Sequence, residues 1–194
     1  MRARLAAVAA GALTLTAAAP ADAGVVKKKR LQVKVGRTAV VVGTGSPSST
    51  TELQIRRRGA WRTIARDRTT SRGRFVLRDR ATRPMSLRAR IIVDGAARRV
   101  GRLNAYRSAL ASWYGPGLYG NHLGCGGRLT PGRLGVAHKT LPCGSKVTLR
   151  KGSRTVRVRV IDRGPYAGSR EFDLTEATAQ KLRFQGPGAV LTTR

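Results

Sequence analysis

Between Leu31 and Val100 apolar and polar residues alternate with a period of two, in one short run after another. That period turns successive side chains to opposite faces of a strand, so this stretch is bound to β-structure. Leu31-Gln32-Val33-Lys34-Val35, Glu52-Leu53-Gln54-Ile55-Arg56, Trp61 to Ala65 and Arg74-Phe75-Val76-Leu77 all alternate. Thr38 to Gly43, Leu87 to Val93 and Ala97 to Val100 complete the series. Turn signals fall between them at Gly45-Ser46-Pro47, Arg58-Gly59, Ser71-Arg72-Gly73 and Asp94-Gly95. About seven strands at this spacing predict a small antiparallel, immunoglobulin-like β-sandwich over residues 24–105.

Arginine fills many of the alternate positions, as on a solvated sheet face. The segment carries 22 basic and 4 acidic residues, with no His, no Cys and scattered carboxylates. It holds no catalytic constellation. The whole chain, 194 residues with a net charge of +30, predicts an anionic partner.

The first residues narrow the choice of partner. Met1-Arg2-Ala3-Arg4 is a positive n-region, Leu5 to Ala19 is apolar and uncharged, and Ala21-Asp22-Ala23 offers a small-residue cleavage site. This is the pattern of a secretory signal peptide over residues 1–23, cleaved after Ala23. The apolar run is shorter than the 20 or so residues that span a bilayer, and no later segment is long enough, so no membrane span is expected in the mature chain. Export makes nucleic acid a poor partner and wall polymers a better one. The low aromatic content, 5%, also leaves few rings for stacking bases.

From Ala109 onward glycine, proline and aromatic residues concentrate. Strands are expected at Ala109–Tyr114, Leu134–His138, Lys146–Leu149, Thr155–Ile161 and Ala189–Thr192. A helix is expected over Glu176–Leu182, capped by Asp173 or Thr175 and stopped by Gly186-Pro187-Gly188. Strands, loops and one helix in about 85 residues point to a compact barrel. The only cysteines, Cys125 and Cys143, are an even pair in a chain expected to be exported, which predicts a disulfide. No metal constellation and no cofactor motif is present.

Three stretches of this second segment are specific together. They are Ala111-Ser112-Trp113-Tyr114-Gly115-Pro116-Gly117, then Gly135-Val136-Ala137-His138-Lys139-Thr140-Leu141-Pro142-Cys143-Gly144, and Val160-Ile161-Asp162-Arg163-Gly164-Pro165-Tyr166 followed by Phe172-Asp173-Leu174-Thr175. In order and spacing the segment resembles the rare lipoprotein A (RlpA)-like family over residues 109 to about 184. The resemblance implies a six-stranded double-psi β-barrel with one short helix over residues 106–194. It also implies lytic transglycosylase activity on peptidoglycan glycan strands; related barrels occur in expansins and some endoglucanases. The high charge extends the expected partners to anionic wall polymers.

The chemistry can also be weighed residue by residue. Glycoside hydrolysis usually needs two carboxyls. The segment has four, Asp162, Glu171, Asp173 and Glu176. Glu171, in Ser169-Arg170-Glu171, reads as loop surface and Glu176 as a solvated helix turn. Asp162 is the expected general acid/base, against a turn-capping role. Asp173 is the second acid, against a helix N-cap. A lytic transglycosylase can work with one acid/base group, because the sugar's own C6 hydroxyl replaces water and gives a 1,6-anhydro product. His138 matches the family's His and is expected to orient a carboxylate or the sugar. His122 reads as surface. Trp113, Tyr114, Tyr166 and Arg163 are candidate substrate contacts, with aromatic core the competing role for Trp113. A general acid needs a raised pKa, so Asp162 should be partly buried; full exposure paired with the Arg163 side chain counts against it.

One departure stands out. Gly127, in Gly124-Cys125-Gly126-Gly127, occupies the place of a family glutamate. That favours the other expectation, a noncatalytic, expansin-like wall-binding or wall-loosening protein.

Overall fold

The computed structural model describes residues 24–194. The expected signal peptide, residues 1–23, lies outside the described residues. Among those described, no helix is long and apolar enough to cross a membrane.

Eight strands come first: β1 (Val26–Arg30), β2 (Gln32–Lys34), β3 (Thr38–Thr44), β4 (Thr50–Arg57), β5 (Ala60–Arg68), β6 (Arg74–Arg80), β7 (Met85–Val93) and β8 (Ala96–Tyr114). One sheet has the order β1-β3-β6; the other runs β5-β4-β7-β8, with β2 on β8. Both sheets turn their apolar positions onto one core, where Val41 and Leu77 meet Leu53 and Ile91, all fully buried. The alternation of β3 is visible directly: every second residue from Ala39 to Gly43 is buried. The pairing is not wholly antiparallel as expected, because β2 runs parallel to β8, with Val33 opposite Ala105. The short Arg30–Gln32 connection carries the chain from one sheet to the other, which fixes that direction.

The barrel strands follow as β9 (Val136–Ala137), β10 (Lys146–Lys151), β11 (Arg154–Asp162), β12 (Phe172–Thr175) and β13 (Gly188–Thr192), with helix α1 (Glu176–Leu182) between the last two. With the second half of β8 they form a ring ordered β12-β9-β11-β10-β13-β8, closed by a parallel β12–β8 pairing. Six strands thus surround a core of valines, leucines and Phe172. Helix α1 starts where expected, and Thr175 is its N-cap, its hydroxyl accepting from the Thr178 N–H.

β8 belongs both to the second sheet and to the barrel. Its 19 residues run unbroken across position 105/106. Residues up to Ala105 pack into the first core, and residues from Ala109 pack into the barrel core.

Candidate active site

The two candidate acids arrive from different strands. Asp162 ends β11 and pairs in register with Ala137 of β9; Asp173, in β12, pairs with the same Ala137 from the other side. Two strand spacings therefore separate them, roughly 10 Å between Cα atoms. The side chain between them, that of Ala137, is a single methyl group.

Asp162 reaches that face through a β-bulge. Val158 and Val160 point into the barrel core, and plain alternation would send Asp162 after them. The register instead shifts between Val160 and Asp162 against consecutive residues of β9. The extra residue, Ile161, leaves the core and packs with Leu123 and Leu129. The bulge thus re-aims Asp162 outward.

The Asp162 carboxyl is half-buried. Its Oδ1 accepts from the backbone N–H of Gly124 at 2.7 Å and of Arg163 at 2.8 Å. Gly124 is required by space: a Cβ there would lie 2.9 Å from Arg163 Cγ and 3.1 Å from Asp162 Oδ1. The Arg163 side chain does not pair with Asp162. Its guanidinium donates to the carbonyls of His138 and Leu141 and to Cys143 Sγ, so it braces the 138–143 loop. The Cys125–Cys143 disulfide joins that loop to the 123–127 loop, with 5.5 Å between the Cα atoms.

Asp173 is half-buried, and burial raises its carboxyl pKa above the ordinary aspartate value, with the nearby Asp162 charge adding to the rise. Ser112 Oγ donates to its Oδ1 at 2.7 Å, and Arg170 in turn donates to Ser112 Oγ at 3.0 Å. Both contacts oppose the rise without cancelling it. The helix-capping role weighed for Asp173 falls to Thr175 instead.

Both carboxylates line one open cleft of about 360 Å³, with Tyr114, Ala137, Tyr166 and Arg170. Tyr166 is 78% exposed at its rim. The Tyr114 hydroxyl is shut off from solvent and, among the described residues, has no partner in good hydrogen-bond geometry. Burial, reinforced by the Asp162 charge, raises its pKa.

Trp113 and His138 lie elsewhere. Trp113 is neither core nor part of this cleft. It is 38% exposed and lines an apolar groove with Ala179 and Phe184 of the α1 region, its indole N–H donating to Gln185 O. His138 packs on the Phe172 ring at 5.0 Å between centroids. Its Nδ1 accepts from the N–H groups of Thr140 and Leu141 at 3.1 and 3.0 Å, which leaves the proton on Nε2. Nε2 faces Glu171 Oε1 at 3.7 Å. Burial lowers the His138 pKa below the usual value, with the Glu171 charge opposing. Glu171, read from sequence as loop surface, is in fact gripped by both terminal nitrogens of Arg107. Nothing in Ser169-Arg170-Glu171 signals a partner 64 residues away.

Gly127 has φ +78°, a left-handed conformation that strains any side chain. A Cβ there would lie 3.3 Å from the Arg133 guanidinium.

Residues 107–192 match a double-psi β-barrel family model described as lytic transglycolase. The same region resembles proteins named endolytic peptidoglycan transglycosylase RlpA. Identity is 45% over 80 residues with that of Neisseria meningitidis and 43% over 81 residues with that of Campylobacter jejuni. These alignments cover 40% and 41% of this chain and 34% and 30% of the relatives. A probable RlpA of Synechocystis is 37% identical over 109 residues, 50% of this chain and 34% of the relative.

The barrel is an RlpA-like domain.

The chain spans about a third of the length of these curated relatives. Among solved structures, Streptomyces papain inhibitor (SPI) aligns at 24% identity and a TM-score of 0.36, covering 45% of this chain and 90% of that one. Within the RlpA-like barrel, the three motif stretches of the sequence converge: Tyr114 from β8, Ala137 from β9, and Asp162 with Asp173 from β11 and β12 all border one cleft.

Proposed function

We propose that the protein is an exported lytic transglycosylase that cleaves peptidoglycan glycan strands between MurNAc and GlcNAc. The observation that carries this is the placement of Asp162 and Asp173 on either side of Ala137, facing one cleft. The names of the relatives support the substrate class.

Asp162 is the proposed general acid/base. Two backbone N–H groups hold its Oδ1, which leaves the other oxygen free of backbone donors, and the residue lines the cleft. The acid form gives its proton to the leaving glycosidic oxygen as the C1–O bond breaks. The C6 hydroxyl of the same sugar closes on C1, and Asp162 takes the C6 hydroxyl proton. The products are a new 4-hydroxyl end and a 1,6-anhydro ring, and Asp162 is again protonated. Asp173 hydrogen-bonds the bound sugar from the other side of Ala137. The Arg170–Ser112 chain holds it in place. Tyr114 and Tyr166 offer ring faces to the strand. His138 shapes the 138–143 loop from behind through its two backbone contacts.

A second reading has one observation in its favour: Arg133 stands over Gly127 where the family pattern has a carboxylate. On that reading the protein binds and loosens the wall without breaking bonds. The experiment is digestion of purified sacculi, with and without stem peptides, followed by mass spectrometry of released fragments. 1,6-Anhydromuropeptides support cleavage by transglycosylation, and reducing ends indicate hydrolysis. Salt-sensitive co-sedimentation with no release supports the second reading.

A further inference from the structure

A second cleft lies where the barrel meets the first two sheets. It measures about 260 Å³ and is lined by Arg57, Arg83, Lys146, Arg157 and Arg194, with Ser86 on its wall. The cations come from both halves of the chain: Arg57 and Arg83 from the first, Lys146, Arg157 and Arg194 from the barrel. Among the described residues, no acidic residue lines it, and none of these cations has a carboxylate partner.

The charges are crowded. Ser86 Oγ accepts from Arg102 Nε at 3.1 Å and from Arg157 Nη1 at 3.2 Å, so one hydroxyl bridges a guanidinium of each half. Thr148 Oγ1 of the barrel reaches the same oxygen at 3.2 Å. Burial lowers the pKa of both Arg102 and Arg157; each is lowered further by Arg88, Arg102 by Arg157 as well, and Arg157 by Arg194 and Arg159. Like charges held this close without an internal anion leave a site whose electrostatics an external anion would satisfy.

We propose that this cleft binds the phosphodiester groups of an anionic wall polymer. Guanidinium and ammonium donors reach the site from several directions, which suits a tetrahedral, many-acceptor phosphate better than a planar carboxylate. No aromatic ring lines the cleft to stack a base, which separates it from a single-stranded nucleic-acid groove. The wall source rests on the reading of the barrel above; the phosphate chemistry does not. Because the ligand would touch both halves, it also holds them in one arrangement.

The test is fluorescence anisotropy with a labelled poly(glycerol phosphate) oligomer. The side chains of Arg83 and Lys146 are exposed and make no hydrogen bond in the fold, so Arg83→Gln/Lys146→Gln removes two charges without unpairing anything. Arg72→Gln/Arg74→Gln removes the same charge at an exposed turn outside the cleft. The expected result is about tenfold weaker binding for the cleft variant and less than about twofold for the other. Arg157→Gln should weaken binding similarly, and cleavage of sacculi fragments should be unchanged in all three. Equal loss in the cleft and remote variants overturns the site, as does no binding by the unaltered protein. Equally tight binding of polygalacturonate of matched charge overturns the phosphate assignment, and tighter binding of a single-stranded oligonucleotide overturns the wall polymer.

Discussion

Asp162 and Asp173 stand in register with one alanine, Ala137, from opposite sides. Neighbouring strands thus hold two carboxylates at a fixed separation, with only a methyl group between. Their environments differ. Asp162 is oriented by backbone N–H groups, while Asp173 accepts from Ser112, and burial raises its pKa.

That raised pKa has a stability consequence. A carboxyl with a raised folded-state pKa stabilises the fold fully below its unfolded pKa, about 3.9. The contribution is lost as pH rises through the folded value. At neutral pH Asp173 therefore costs stability, as functional groups often do. Asp173→Asn should raise the Tm at pH 7, with the gain vanishing below about pH 3.9, while cleavage falls. Melting curves across pH check it; a lower Tm at pH 7 contradicts it.

Gly124 matters for space rather than for φ. In Gly124→Ala the new methyl must push against Asp162 Oδ1 and Arg163. Cleavage should fall by about tenfold or more through loss of carboxyl orientation. Gly126→Ala, where a Cβ meets nothing within 4 Å but φ is +91°, should lose about 1 kcal/mol of stability from left-handed strain. It should keep most of its turnover. Equal losses of turnover in the two variants contradict the role given to Gly124.

Breaking the disulfide should affect both fold and site. Cys125→Ala/Cys143→Ala releases a loop closed over a sequence separation of 18, worth about 3 kcal/mol in urea unfolding. It also frees the loop that presents the Gly124 N–H to Asp162. A loss of stability without any loss of turnover would show that the bridge does not serve the site.

His138 should titrate below its ordinary value of about 6.5, because burial disfavours the charged ring. A lowered folded pKa means that its contribution to stability is present above about 6.5 and is lost as pH falls through the folded value. Protonation also takes Nδ1 away from the Thr140 and Leu141 N–H groups. NMR of the imidazole ring measures the midpoint directly; one above about 6.5 would mean the Glu171 charge outweighs burial.

Much of this was legible in the sequence because strand alternation and local motifs are local signals. β3, β4 and β6 follow their alternation, and α1 begins at its Thr175 cap, though it ends at a left-handed Arg183, ahead of the Gly186-Pro187-Gly188 breaker. The cysteine pairing followed from their number. What escaped depends on long-range geometry. Arg102 to Tyr106 contains no breaker, yet two separate strands were expected around it; only the structure shows β8 running from one core into the other. The bulge at Ile161 is invisible in Val158-Arg159-Val160-Ile161-Asp162, because alternation alone sends Asp162 into the core. Glu171 looked like surface because Arg107 and His138, its neighbours in space, are far from it in sequence.

In the proposed reaction Asp162 moves the proton that breaks the glycan strand. The direct measurement is the yield of 1,6-anhydromuropeptides from peptidoglycan, compared between the protein and Asp162→Asn. Asparagine keeps an oxygen that can accept the Gly124 and Arg163 N–H groups, so only the proton transfer should be lost. The protein should yield anhydro products, and the variant about a hundredfold less or lower still. Equal yields from the two, or no anhydro product from either, would contradict it.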